Sequence, residues 1–172
     1  LVTRVGVVSA DTGLHLPDFR AAERTFQVLT QVAGRAGRSI LGGRVILQTY
    51  EPEHYAVLAA AAHDYLAFYR QELAHRRELC YLPFRPLIRL LYRNTHADAA
   101  RRETERLARQ IRRRITEGSA PAELIGPAPC YFERLRGEYR WQLVVRATEP
   151  HRFVPDTLPE GWGVDVDPVS LL

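Results

Sequence analysis

The sequence contains no lysine and no methionine, and only one asparagine, Asn94. All 24 basic side chains are therefore arginine. Without lysine the chain cannot hold the phosphate-binding loop G-x-x-x-x-G-K-[ST] of nucleotide hydrolases. Any phosphate contact must come from guanidinium groups, polar side chains or backbone amides. A GC-rich genome accounts for such a composition, and a thermophilic source would add a physical reason to avoid asparagine and methionine. Cysteine is scarce too. Cys80 and Cys130 lie far apart and no C-x-x-C pair exists. That excludes a cysteine-rich zinc site and leads us to expect no metal ligands here and a reduced, cytoplasmic setting. No apolar run approaches the roughly 18–20 residues of a membrane span, and the Val-rich start is too short for a signal peptide. A chain that starts at Leu1 without any methionine is expected to be a piece of a longer or processed protein.

What is present fits a folded globular chain. Its 172 residues allow one ordinary domain or two small ones, and 46% apolar with 26% charged content is that of a soluble protein. The net charge of +4 is compatible with nucleic acid without being diagnostic of it.

Residues 3–9 read as a buried strand ending in a loop at Asp11, Thr12 and Gly13. Phe26, Leu29 and Ala33 repeat at helical spacing, so a helix is expected from about Arg20 to Val32, broken by Gly34, Gly37, Gly42 and Gly43. Residues 44–49 form a second apolar run. Strand, helix, strand is the parallel crossover unit of an α/β fold. From Pro52 to Glu78 the apolar stripes predict one or two helices bridging two modules.

After Pro83 the pattern changes. Residues 85–93 fit a strand with Ile88, Leu90 and Tyr92 on one face and Arg89 and Arg93 on the other. A helix over 96–117 is capped by Thr95, with Asp98 in its first turn, a buried stripe at Ala100, Leu107, Ile111 and Ile115, and Gly118 as its stop. Two strands, 123–135 and 138–147, are joined by a tight Arg136-Gly137 turn. The proline-rich span 148–161 is too broken for a long helix, and Val164–Val166 is a last short strand. This module is α+β with an antiparallel sheet.

The stretch Gln31-Val-Ala-Gly-Arg-Ala-Gly-Arg38 places two arginines three apart, each after a glycine, behind a glutamine. It suits a loop or helix tip reaching for phosphate: glycine permits close approach and guanidinium forks clamp phosphate oxygens. It resembles motif VI of superfamily 2 helicases, Q-x-x-G-R-x-x-R. Gly13-Leu-His15-Leu-Pro17 departs from their usual G-x-D-x-P of motif V by carrying histidine for aspartate. The longer string A-D-T-G-L-H-L-P-D-F-R-A-A-E-R, the segments QTYEPEH, HDYLAFY and ELAHRREL, then Gly126-Pro-Ala-Pro129, RLRGEYRWQL and Asp165-Val-Asp-Pro168 are together similar to the PriA (primosomal protein N′) family of replication-restart helicases.

That resemblance implies a fold and an organisation. Residues 1–50 would be the C-terminal half of the second RecA-like helicase lobe, an α/β part-lobe; residues 51–82 would be bridging helices; residues 83–172 would be the family's α+β C-terminal domain. It implies roles as well. Arg38 is the arginine-finger candidate and Arg35 a second catalytic arginine. Gln31, Gly34, Asp11 and Gly13 would be nucleotide-binding, and Thr12 and His15 would belong to the DNA-gripping loop. The arginine-rich helix 96–117 offers Arg102, Arg106 and Arg113 to DNA, or simply presents a solvated, salt-bridged face. Arg140 and Gln142 are candidates for docking the acidic tail of single-stranded-DNA-binding protein, with Glu138 unfavourably acidic beside them. The longer protein would be an ATP- and magnesium-dependent 3′-to-5′ DNA helicase with structural zinc. It would act with branched or forked DNA, single-stranded-DNA-binding protein and other primosome proteins, at no membrane. This chain lacks the phosphate-binding loop, the magnesium-binding acidic motif and the zinc cysteines, so it is expected to be inactive as an ATPase alone. Two other readings stay open: a stand-alone DNA- or partner-binding module, and a piece of another superfamily 2 motor such as a fork-reversal helicase.

Overall fold

The computed structural model describes residues 4–36 and 44–172. It divides into two compact units, Leu1–Glu78 and Leu79–Leu172. In the first, strands β1 (Arg4–Val7) and β2 (Arg44–Leu47) pair in parallel, with Arg4 opposite Arg44 and Val7 opposite Leu47. Between them in sequence come a single helical turn, α1 (Asp11–Leu14), and the helix α2 (Ala21–Ala36). The expected strand–helix–strand order with parallel pairing is therefore present.

Helix α2 differs from expectation at its end. It continues through Gly34 to Ala36 rather than stopping at Val32. One glycine costs a helix interior only about 1 kcal/mol, and burial of Phe26 and Leu29 outweighs that. The remaining glycines invoked as breakers, Gly37, Gly42 and Gly43, lie outside the described residues.

The segment expected as a bridge is two helices, α3 (Tyr55–Ala61) and α4 (Tyr65–Glu78). They pack within the first unit. Ala56, Val57, Ala59 and Ala60 of α3 and Phe68 of α4 form one buried cluster with Phe26 and Leu29 of α2. Phe26 and Phe68 stack with centroids 4.2 Å apart. The small alanine face of α3 is what lets it lie close against α2.

The second unit is α+β. Its antiparallel sheet has the order β4-β5-β3-β6, made of β3 (Leu87–Asn94), β4 (Ala122–Leu135), β5 (Glu138–Ala147) and β6 (Trp162–Val166). Helix α5 (Ala97–Glu117) packs on one face, where Leu107, Ala108 and Ile111 meet Ile88, Leu90, Leu143 and Val145. All seven are wholly or almost wholly withdrawn from water, each large one contributing about 1.5–3 kcal/mol. The β4–β5 turn has Arg136 at φ 52° and Gly137 at φ 87°, the two left-handed positions of a tight hairpin turn. Strand β4 bends at Gly126, whose φ is 95° and where a Cβ would lie 2.9 Å from the Gln142 carbonyl oxygen. The span after β5 holds only a 3-10 turn, Pro150–Phe153.

Two local expectations are corrected in this unit. Thr95 does not cap α5: the cap position is His96, whose N–H donates to Asn94 Oδ1 at 2.9 Å, while Thr95 Oγ1 meets the His96 ring. Arg89 is not on a solvated face. Residues 87–91 of β3 are buried on both sides, Arg89 included, because the chain end returns across the sheet: Ser170 accepts from the guanidinium through its carbonyl.

Candidate nucleotide and nucleic-acid sites

In the first unit, the loop expected to touch nucleotide and DNA is closely tied to its own fold. Asp11 is buried, and Oδ1 accepts from Thr49 Oγ1 at 2.8 Å and from the Tyr50 N–H at 3.0 Å; Oδ2 accepts from Ser9 at 3.3 Å. The Thr49 hydrogen bond, more than any other contact, holds the Asp11 carboxyl below its usual pKa. Asp11 thus locks α1 to the exit of β2. Gly13 is fixed by packing, since a Cβ there would lie 2.6 Å from Thr25 Oγ1. Thr12 is exposed, its hydroxyl 3.3 Å from that of Ser9. His15 is exposed and meets Glu51 Oε1 at 2.5 Å.

Gln31, Gly34 and Arg35 lie on the last turns of α2, all exposed. Gln31 and Arg35 are four apart, so they share a face. Among the described residues neither side chain has a hydrogen-bonding or ionic partner. Arg38 lies outside the described residues. Gln31 also borders a cleft of about 510 Å³ between α2 and α4, floored by Phe26, Tyr65, Phe68 and Tyr69. The cleft's other end is closed by an ion network. Glu23 accepts from Arg20 at 2.8 Å and from Arg76 at 2.6 Å; Glu72 accepts from Arg76 and from the Tyr55 hydroxyl, both at 2.6 Å. Arg20, then Arg76, hold the Glu23 carboxyl below its usual pKa, while burial, followed by the Glu72 hydrogen bond, pushes the Tyr55 hydroxyl up. Glu72 and Arg76 reach this network from α4, a packing that sequence spacing alone could not place.

The second unit sorts its arginines into engaged and free. On α5, Arg106 forms a two-pronged bridge to Glu103, both contacts 2.7 Å, and Arg113 bridges to Glu117 at 2.7 Å. Arg102 is exposed with no partner among the described residues. Two of the three helical DNA candidates are therefore paired along the helix, as a salt-bridged face would be. Arg112 donates to the Gly126 carbonyl at 2.8 Å.

Gln142 and Arg140 differ from each other. Arg89 Nε donates to Gln142 Oε1 at 2.8 Å, while its other nitrogens reach Ser170 O at 3.2 Å and Cys130 Sγ at 3.8 Å. Arg140 is half-exposed and has no side-chain partner among the described residues. Directly across the sheet from it stands Arg93 of β3. Sequence alternation put Arg93 on the polar face of its strand; only the strand register brings it beside Arg140. Among the described residues no group of three His, Cys, Asp or Glu side chains could hold a metal ion, and no helix is long and apolar enough to cross a membrane.

The first unit thus ends its helix α2 in an exposed glutamine–arginine face, and the α+β unit carries arginines without side-chain partners among the described residues on its sheet. Residues 77–169 match the family described as Primosomal protein N C-terminal domain, and the chain belongs to that family. It is 43% identical to the replication restart protein PriA of Bacillus subtilis over 145 residues, covering 84% of this chain and 18% of that protein. The corresponding protein of Treponema pallidum is 42% identical over 179 residues, covering 98% of this chain and 27% of its own length. That of Synechocystis is 40% identical over 180 residues, 99% and 21%. The chain thus spans between 18% and 27% of the length of these relatives.

Proposed function

We propose that this chain serves as the C-terminal part of an ATP-dependent 3′-to-5′ DNA helicase that restarts stalled replication forks and initiates primosome assembly. One observation carries the reading: similarity to replication restart proteins runs through both units, reaching 98–99% of the chain. Forked DNA, single-stranded-DNA-binding protein and other primosome proteins are the partners this reading assigns.

In this reading the first unit is half of a RecA-like lobe. Two features support it. The two-stranded sheet leaves Val8 and Ile46 exposed at 79% and 59%, apolar surface of the kind that further strands and helices cover. The donors at the end of α2 are free to face a nucleotide held elsewhere. Bound ATP with magnesium supplies the phosphoryl transfer. Gln31 would hydrogen-bond the nucleotide, and Arg35 with Arg38 would place positive charge at the γ-phosphate, where charge develops. Asp11 and Gly13 act through the fold instead, holding α1 against α2 and β2. Structural zinc would be held by the longer protein that this reading assigns.

The test uses a longer protein that contains this chain together with a phosphate-binding loop. It is expected to hydrolyse ATP when forked DNA is added and to unwind it 3′ to 5′. Arg35→Ala should lower kcat roughly 100- to 10,000-fold while leaving DNA affinity nearly unchanged. Wild-type turnover that is absent, or that ignores DNA, overturns the reading.

A further inference from the structure

The two edges of the second unit's sheet are built differently. Strand β4, at one edge, carries Pro127 and Pro129 and breaks its register with β5, which suits it poorly to accept another strand. Strand β6, at the other, contains no proline and pairs with β3 without a break, from Trp162 opposite Tyr92 to Val166 opposite Ile88. The Arg93 N–H donates to the Gly161 carbonyl at 3.1 Å and the Asp167 N–H to the Leu87 carbonyl at 2.8 Å. Hydrogen-bonded positions alternate in an antiparallel pair, so Gly161, Gly163, Asp165 and Asp167 face β3. Trp162, Val164 and Val166 turn their N–H and C=O groups outward, and among the described residues no other backbone group meets them.

The side chains beside that row are apolar and uncovered. Val164 and Val166 are 53% and 63% exposed. They stand opposite Leu90 and Ile88, and so point to the sheet face on which α5 packs. With Ile88, Val154 and Leu158 they line a depression of about 330 Å³. Ile88 and Val154 belong to the buried cluster under α5, so the depression runs into the core. The strand is fixed at its start: Trp162 donates through Nε1 to Glu103 Oε1 at 3.1 Å and packs on Tyr92 with ring centroids 5.0 Å apart. A fixed edge strand with free backbone groups and an apolar depression beside it is a template for strand addition.

Charge decides which segment fits. Asp156 lies on the rim of the depression, Glu160 just precedes the strand, and Asp165 projects from the strand's other face. All three are exposed, and none has an ionic or hydrogen-bonding partner among the described residues. Asp165 stands opposite Arg89, yet that guanidinium is turned to Gln142, Ser170 and Cys130. Arg93 is level with Gly161, at the far end of the strand from Asp165, and Arg152 is bridged to Glu149. We propose that the β6 edge takes up an extended segment of a partner protein in which aliphatic residues alternate with arginine or lysine. Its backbone pairs with Trp162, Val164 and Val166. Its aliphatic side chains enter the depression, and its basic ones meet Asp165 on the other face. A second copy of this chain would bring the same three acids against these, and an acidic peptide would be repelled in the same way.

The test is titration of the 172-residue chain with a short synthetic peptide alternating valine with arginine, followed by amide hydrogen exchange in the complex. Saturating peptide should slow exchange at the Val164 and Val166 amides by about tenfold or more. A peptide of the same composition with its valines and arginines in separate blocks, and one alternating valine with glutamate, should each bind roughly tenfold more weakly. Asp165→Arg leaves the edge backbone intact and should weaken the valine–arginine peptide roughly tenfold. Val164→Pro removes an outward N–H without costing a bond to β3, and should abolish binding. Should that variant fold poorly, exchange in the unmodified chain and the Asp165→Arg affinity decide between the outcomes. No binding, or binding that leaves Val164 and Val166 exchanging as before, overturns the proposal. So does equal affinity for the valine–glutamate peptide. A dimer of the chain that Val164→Pro dissociates would make a second copy the occupant, and would overturn it too.

Discussion

Two glycines of the candidate site have opposite reasons for being there, and single substitutions separate them. A Cβ on Gly13 would lie 2.6 Å from Oγ1 of Thr25, a short, buried, β-branched side chain that cannot swing aside. A Cβ on Gly34 would meet nothing within 4 Å. Gly13→Ala should therefore destabilise the chain by about 1–3 kcal/mol through overpacking. Gly34→Ala should stabilise it by roughly 0.5–1 kcal/mol, since alanine suits a helix interior better. Denaturant unfolding of the two variants checks both signs; a destabilised Gly34→Ala would mean the α2 end needs glycine for the fold itself. From the sequence these residues looked alike, each a glycine in a motif. Arg89 misled in another way: alternation put it on the polar face of its strand, and nothing in the local pattern announced that Ser170, 81 residues later, would return to cover it.

At the scale of elements, the hairpin β4–β5 was readable almost residue for residue, because Arg136-Gly137 is a strong local turn signal and the flanking strands alternate. Caps were less so. Thr95 was the stronger capping residue by type, yet the chain turns one residue later, at His96. At the start of α3 the cap is His54, whose Nδ1 accepts from the Ala56 N–H at 3.2 Å. That bond needs an unprotonated ring nitrogen. Burial lowers the His54 pKa, with Glu51 pulling it up and the nearby His75 pulling it down less strongly. The folded value thus lies below the unfolded one, near 6.5. As pH falls the unfolded chain takes the proton first. The His54 contribution is complete above the unfolded pKa and is lost as pH falls through the folded one. Melting temperature should therefore drop on moving from about pH 8 to pH 5. His54→Asn, an uncharged capping side chain, should flatten that dependence; an equally steep curve in the variant would assign the pH effect to other groups.

At the scale of the molecule, the order of an α/β unit followed by an α+β unit was legible, while the boundary between them was not. The apolar stripes of residues 55–78 said that two helices would bury a face; they did not say that Ala56 and Ala60 would find Phe26 and Leu29. Pairing between elements distant in sequence is a property of packed volume, and periodicity carries no record of it. Chemistry at this scale is limited by composition. With no lysine among 172 residues there is no phosphate-binding loop, and exposed arginines in water hold a nucleotide only through weak, screened attraction. The 172-residue chain, given ATP, magnesium and forked DNA, should release phosphate at the background rate, and saturating ATP should leave its Tm unmoved, because a ligand stabilises only the state it binds. Turnover above background that disappears in Arg35→Ala would mean that both halves of a nucleotide site reside in this chain, and would overturn the division of labour argued for the end of α2.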